Sequence, residues 1–449
     1  MVPEAPPLES HKTSGPRPQP FARSEALLDR ACRVIPGGSQ TFSKGRLQWS
    51  RGGAPLFLTR GRGSHVWDVD GNEYIDFVNG LAPILLGYCD PDVDAAVRNQ
   101  LERGVLLSLS TELEIELAEL LGEIIPCAEM VRFAKNGSDA CAGAIRLARA
   151  HTGRDHVAVC GYHGWQDWYI GSTSRHKGVP EAVRALTHPF DYNDAGSLKA
   201  SFLERPDEFA AVILEPFYTA EPESGFLEEV QRLAHEHGTL LIFDEVISGF
   251  RHHLGGAQSL FGVTPDLAAL GKAMANGFPL SALVGRREIM KGLEEVFFSF
   301  TNGGETLSLA ASLATIRKIQ AGLVHPHLAR LGTKLIEGVR EALRVHGLAE
   351  VFSIAGRAPL TQLQYRKNPE GVDPWALKTL VRQEMVACGV LTTGVHNLSY
   401  SHSDADIDRL LSAYHHTFKQ VAHALSDGSV ERRLRGEKAR EILSMRSRS

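Results

Sequence analysis

Residues 239–246 read "TLLIFDEV". Leu240 to Phe243 form an unbroken apolar run that stops at Asp244. A short run of this kind fits a strand covered on both faces, as in a parallel sheet flanked by helices. Similar runs recur along the middle of the chain: "HVAVC" (156–160), "AAVIL" (210–214), "LAAL" (267–270) and "SALVG" (281–285). Segments with helical spacing accompany them at 111–121, 138–151, 226–237 and 305–320. The alternation predicts an α/β core with a buried, mostly parallel sheet over residues 95–320.

The flanks read differently. "FARSEALLDRACRVI" (21–35) has the pattern of an amphipathic helix that stops at Pro36. "HVWDVDGNEYIDFV" (65–78) alternates around Asp70-Gly71 and predicts a hairpin. After residue 321 come a helix, an irregular region and a second helix at 403–425, which predict a smaller α+β domain at 321–425. The first twenty residues hold six prolines and no apolar segment, so 1–20 reads as a disordered lead. The basic stretch 426–449 reads as a solvated helix and a frayed tail.

The 449 residues carry a net charge of −5. That balance gives no electrostatic case for nucleic acid or for an anionic membrane. No apolar run approaches the roughly 18 residues that cross a bilayer. The six cysteines are scattered, without a C-x-x-C pair. They read as buried small residues of a cytoplasmic protein, and no disulfide frame or metal site is expected.

The apolar runs share one property at their ends. "HVAVC" leads to Tyr162 and His163, "AAVIL" to Glu215, "TLLIF" to Asp244 and "LAAL" to Lys272. Open α/β sheets bind ligands beyond the carboxyl ends of their strands. Alone, Asp244 reads as a helix N-cap or as an ion-pair partner of Arg251, and Lys272 as an amine reaching out of a strand end. Together they fit a cofactor. A partly desolvated lysine attacks carbonyls, and a carboxylate holds a protonated pyridine nitrogen, the two groups that pyridoxal phosphate requires. Asn136-Gly137-Ser138, before a helical segment, offers N–H groups to a phosphate, although ordinary N-caps look the same. Tyr162 reads either as a ring that stacks on the cofactor or as a core aromatic.

These stretches resemble class III (fold-type I) pyridoxal-phosphate aminotransferases, most closely the glutamate-1-semialdehyde 2,1-aminomutase branch. The resemblance runs from about residue 25 to 425. It rests on "PGGSQTFSKG" (36–45), "VWDVDGNEYIDFV" (66–78), "PILLGYCDP" (83–91), "VRFAKNGSDACAGAIRLARAHTGRD" (131–155), "GYHGWQD" (161–167), "LLIFDEVISGFR" (240–251), "FGVTPDLAALGKAMANGFPLSALVG" (261–285) and "FTNGGETLSLAAS" (300–312). It implies a large domain with a seven-stranded, mostly parallel sheet and a small α+β domain drawn from both termini, with residues 21–94 as the N-terminal part. It implies that Lys272 forms the Schiff base, that Asp244 partners the pyridine nitrogen and that Val246 packs the ring face opposite Tyr162. Gly137 and Ser138 match the phosphate-binding pair. Thr301 matches a threonine that reaches the phosphate of a neighbouring subunit, which implies a homodimer. Glu215 matches a glutamate near cofactor and substrate.

The sequence departs from the aminomutases around the substrate. Lys44, in "TFSK", stands near the arginine that grips the aminomutase substrate, and a lysine does not replace a bidentate guanidinium. Leu81 stands where the family has a tryptophan. "YHGWQDWYIG" (162–171) brings Trp165 beside His163, and the following segment is shorter than the aminomutase lid. These departures favour transamination between a small-molecule amino donor, glutamate or glutamine, and a polar keto acceptor such as a keto-sugar or cyclitol. Lys44, Leu81, His163, Trp165 and Glu215 are the expected substrate residues. The alternatives are the aminomutase itself, a pyridoxal-phosphate racemase or epimerase, and a non-catalytic scaffold on the same fold.

Overall fold

The computed structural model describes residues 21–367 and 369–444; the lead at 1–20 and the last five residues lie outside them. Seven strands form the central sheet. Across it run Met130–Ala134, Ser281–Gly285, Leu267–Leu270, Leu240–Glu245, Phe209–Leu214, His156–Cys160 and Thr187–Pro189. Ser281–Gly285 is antiparallel to both neighbours, and every other pairing is parallel. Every residue of Phe209–Leu214 and of Leu240–Glu245 is buried. This is why their sequences run continuously apolar instead of alternating.

Helices cover both faces. Gly137–Thr152 lays Ala140, Cys141, Ala144, Ile145 and Ala148 on one face, against Val157, Ile213 and Ile242. Its small residues let the helix axis approach the sheet. On the other side, Glu112–Ile124, Phe226–Glu236 and Thr306–Gln320 bury Leu117, Leu121, Val230, Leu313 and Ile316. Two of these starts carry capping boxes, Thr111 with Glu114 and Asn136 with Asp139, each satisfying N–H groups the helix cannot.

The predicted hairpin forms between His65–Asp68 and Glu73–Asp76. Val390–Leu391 then pairs parallel with its second strand, so segments far apart in the chain share one sheet. Phe21, Trp49, Tyr74, Val386 and Leu391 pack together beneath it. Beyond residue 321 the helices Val324–Val345 and Asp404–Ser426 flank an antiparallel three-stranded sheet. The region read as irregular also holds the helix Pro374–Ala387. That helix buries Arg382, Gln383 and Glu384 beside its apolar residues, so no amphipathic stripe marks it.

Two expectations are corrected. Beyond Ser426 the basic stretch is not a solvated helix; apart from a short 3₁₀ turn at Glu431–Arg433 it crosses other segments with non-helical backbone. Glu437 N–H donates to Arg51 O, Ala439 N–H to Thr379 Oγ1 and Arg440 N–H to Leu47 O. These backbone bonds outbid helix formation in a segment whose charges pair outward, as Lys438 does with Asp373. The cysteines are not uniformly buried: Cys32 and Cys89 are exposed. Among the described residues no helix is long and apolar enough to cross a membrane.

Candidate active site

The parallel register brings the strand ends together. Leu214 lies beside Phe243, and Asp244 beside Ala269. Glu215, Asp244 and Lys272 therefore emerge along one edge of the sheet and line a single cavity of about 330 Å³. Tyr162, His163 and Trp165 join them from the loop after His156–Cys160.

Lys272 starts a 3₁₀ turn, Lys272–Ala275, with φ of 43°. A non-glycine residue holds that left-handed backbone only under support from its surroundings. The support is visible. Asn276 accepts at Oδ1 from the N–H of Leu85 (3.0 Å) and Leu86 (2.9 Å) and donates to Gly87 O (3.0 Å). Ser312 Oγ donates to Met274 O at 3.0 Å. Burial pushes the Lys272 amine below its usual pKa, although the nearby Glu215 and Asp244 pull it upward.

Asp244 is 5% exposed. Its Oδ2 accepts from His163 Nδ1 at 2.8 Å and from Cys141 Sγ at 3.4 Å, and its Oδ1 from Val246 N–H at 3.1 Å. The ion pair with Arg251 does not form. That guanidinium instead donates to the carbonyls of Ala82, Leu398 and Pro359. His163, expected beside the substrate, is spent on Asp244; it is buried and stacks on Trp168. Glu215 Oε2 accepts from Tyr162 N–H at 2.9 Å. Burial, and then the charge of Asp244, push the Glu215 carboxyl above its usual range.

The phosphate-binding candidate sits at the start of Gly137–Thr152, where the first N–H groups have no partner within the helix. Two close approaches shape it. A Cβ on Gly137 would lie 2.5 Å from Val246 Cγ1, and a Cβ on Gly164 would lie 2.3 Å from Ser138 Cβ. Val246 and the loop carrying Tyr162 are thus fitted onto the helix start. Tyr162 is 51% exposed, so it is a cavity wall and not a core aromatic.

Not every expected residue is gathered here. Lys44, Leu81 and Thr301 are absent from the cavity lining, and Lys44 and Thr301 are exposed. Pro83 lines the cavity from the loop that carries Leu81. Cys141 was not foreseen, although it lies one helical turn after Gly137, on the face that must meet the sheet.

The chain matches the family described as "Aminotransferase class-III" over residues 49–415. It is 36% identical to the 3-aminobutyryl-CoA aminotransferase of Cloacimonas acidaminovorans, over 90% of this chain and 99% of that one. It is 41% identical to a glutamate-1-semialdehyde 2,1-aminomutase of Roseiflexus castenholzii, over 74% of this chain and 81% of that one. This chain is a class III aminotransferase. Its structure is similar to that of the FumI protein of Sphingopyxis sp. MTA144 in a PLP internal aldimine form. The TM-score is 0.84 and the identity 30%, over 90% of this chain and 97% of that one.

The cofactor of this aminotransferase is pyridoxal 5'-phosphate, and the residues present fit it. The cavity offers one amine of depressed pKa, a carboxylate fixed by three donors, an exposed phenol ring and a helix start, Gly137 and Ser138, in its wall.

Proposed function

We propose that this aminotransferase carries an amino group from an amino-acid donor, glutamate or glutamine, to a polar keto acceptor such as a keto-sugar or cyclitol. The observation that carries the reading is the cavity wall. Among the described residues no arginine lines it, so no bidentate clamp awaits an acceptor carboxylate. Trp165 and Glu215 offer an indole N–H and a carboxyl group instead, which suit a substrate rich in hydroxyls. The choice of donor rests on the family resemblance.

In this reading Gly137 and Ser138 hold the cofactor phosphate, Tyr162 and Val246 flank its ring, and Glu215 and Trp165 face the acceptor. Lys44 and Leu81 lie outside the cavity wall. Pyridoxal phosphate, when bound, supplies an aldehyde that takes the amino group and a ring that withdraws electrons from the carbon being deprotonated. Lys272 would hold that aldehyde, and its amine, once free, would carry the proton of the donor carbon. Asp244 would keep the proton on the ring nitrogen, and His163 keeps Asp244 aimed.

Two copies pair so that Thr301 of each reaches the phosphate of the other. The exposed Leu106, Leu107, Ile115 and Phe300, on segments flanking Thr301, support a covered face there. Sedimentation of Thr301→Ala and of the parent, with cofactor titrations, tests the pairing.

The deciding experiment is a half-reaction. Amino donors are screened for loss of the protein-bound cofactor's visible band, and keto acceptors for its return. The acceptor panel holds keto-sugars, cyclitol ketones and 3-oxo thioesters of coenzyme A. Return with a hydroxylated ketone supports the reading. Efficient formation of 5-aminolevulinate from the semialdehyde, or deuterium exchange at the donor carbon without keto product, would replace it with the aminomutase or the racemase.

A further inference from the structure

Lys135 follows the strand Met130–Ala134 and directly precedes the Asn136-Gly137-Ser138 turn. It lines the same cavity as Gly137, Ser138 and Lys272. Its ammonium donates to Glu305 Oε2 at 3.0 Å, and the two side chains are only 17% and 15% exposed. Lys135 and Lys272 are the lysines of the cavity wall, and no arginine accompanies them among the described residues. Lys272 has its own task, so among the described residues the other fixed cation that lines the cavity is Lys135.

The ion pair does not exist to satisfy Glu305. That carboxylate already caps the helix Thr306–Gln320, accepting from Leu307 N–H at 2.7 Å, Ser308 N–H at 3.3 Å and Ser308 Oγ at 2.6 Å. Both of its oxygens are bonded without Lys135. The ammonium, in contrast, has three N–H donors, and among the described residues only Glu305 takes one. A helix start with its positive dipole, an adjacent ammonium with donors to spare and a half-closed setting together form an anion site.

We infer that Lys135 is a specificity-determining residue of this enzyme: it bridges Glu305 and the cofactor's phosphate, and so selects the phosphorylated cofactor over the free aldehyde. The inference rests on the proposed placement of the phosphate at Gly137 and Ser138. It also links that phosphate, through Glu305, to the segment carrying Thr301.

The test compares two probes on protein freed of cofactor: pyridoxal phosphate, and pyridoxal, which has the aldehyde and ring but no phosphate. Binding is read by absorbance and by borohydride trapping at Lys272, without turnover. Lys135→Met weakens pyridoxal phosphate roughly 10- to 100-fold, the scale of a lost charge-assisted bond, and leaves pyridoxal within about twofold. Lys135→Arg keeps most of the affinity. Equal losses for both probes, or no loss for either, overturn the inference. If Lys135→Met does not fold, Glu305→Gln decides. Removing the competing carboxylate tightens inorganic phosphate, read by its protection against thermal unfolding, and unchanged or weaker phosphate binding overturns the inference. Pyridoxal trapping in the parent separates the two readings: a Lys135 failure with trapping intact leaves the proposed function standing, and no trapping in the parent sinks that function.

Discussion

His163 donates from Nδ1 to Asp244 Oδ2 at 2.8 Å, and both side chains are buried. The bond fixes which ring nitrogen carries the proton and leaves Nε2 facing the interior without a protein partner among the described residues. Asp244 is thus held from two sides, by His163 and by the Val246 N–H. His163→Phe keeps the ring packing on Trp168 and removes the bond. We expect kcat to fall about 10- to 100-fold, the scale on which outer hydrogen-bond partners that orient a functional group are felt, while Lys272 still traps pyridoxal. A shift in the pH at which the bound cofactor's absorbance changes, with little change in KM, marks a role through Asp244. An unchanged pH profile would assign His163 to packing alone.

Gly137 and Val246 are matched in shape. A Cβ at position 137 meets both methyls of Val246, at 2.5 and 2.6 Å, closer than real contacts allow. Gly137→Ala therefore displaces Val246 or the helix start, an overpacking cost of about 1–3 kcal/mol. The expected result is a lower melting temperature and weaker cofactor binding. Val246→Ala in the same chain removes the two methyl clashes and leaves only the 3.1 Å approach to the Cβ of residue 246. The double variant should recover more than half of the lost stability, and additive losses would show that the strain lies elsewhere.

The chemistry-bearing edge of the sheet was legible because parallel strands buried on both faces leave an unmistakable apolar run, and each run stops at a capable residue: Glu215, Asp244, Lys272. The rest depends on long-range packing. Lys44 ends a short 3₁₀ turn, Phe42–Lys44, and Leu81 and Thr301 sit on loops; no local pattern places such segments relative to a cavity. His163 was found and its partner was not, because a rim histidine and one bonded to a buried carboxylate read alike. The helix Pro374–Ala387 escaped because Arg382, Gln383 and Glu384 are buried in it, which erases the periodicity that marks surface helices.

His65 links the hairpin to the last long helix, through Nε2 to Asp406 Oδ1 at 3.2 Å and Nδ1 to Glu73 at 2.8 Å. The Asp406 bond holds the His65 pKa above its usual value against the opposing effect of burial. Burial raises the Asp406 carboxyl, and its bonds to His65 and Ser403 more than offset this, holding it well below the usual range. The signs set a window. A raised histidine contributes fully below its unfolded pKa of about 6.5 and loses that contribution as pH rises through the folded value. A depressed aspartate contributes above about 3.9 and loses it as pH falls. The pair is therefore strongest near pH 4–6.5. His65→Gln should destabilise the protein by up to about 1 kcal/mol at pH 5.5 and by less at pH 8.5, a partly exposed pair being worth little more. Urea midpoints at the two pH values check this; an equal loss at both would remove the charge from the account.

The crossing stretch at 434–444 ties distant parts of the chain together. Ala439 is 1% exposed and donates to Thr379 Oγ1 at 3.0 Å. Further along, Arg175 Nε donates to Ile442 O at 2.7 Å, and Ser174 N–H to Ser444 O at 3.0 Å. Ser174 and Arg175 follow the short helix Asp167–Ile170, whose Tyr169 meets Tyr162 edge-on at 5.6 Å. Two variants separate anchoring from mere attachment. Ala439→Asp forces a carboxylate into a dry contact and should cost about 2–4 kcal/mol, because a buried charge without a partner is expensive. Ala439→Ser, with a hydroxyl that Thr379 can accept, should cost less than about 1 kcal/mol. Thermal or urea unfolding measures both. Equal, negligible losses would mean that the stretch lies loosely in solution, as its basic composition first implied. A large loss confined to Ala439→Asp would show that a tail read as solvent-borne belongs to the packed body of the enzyme.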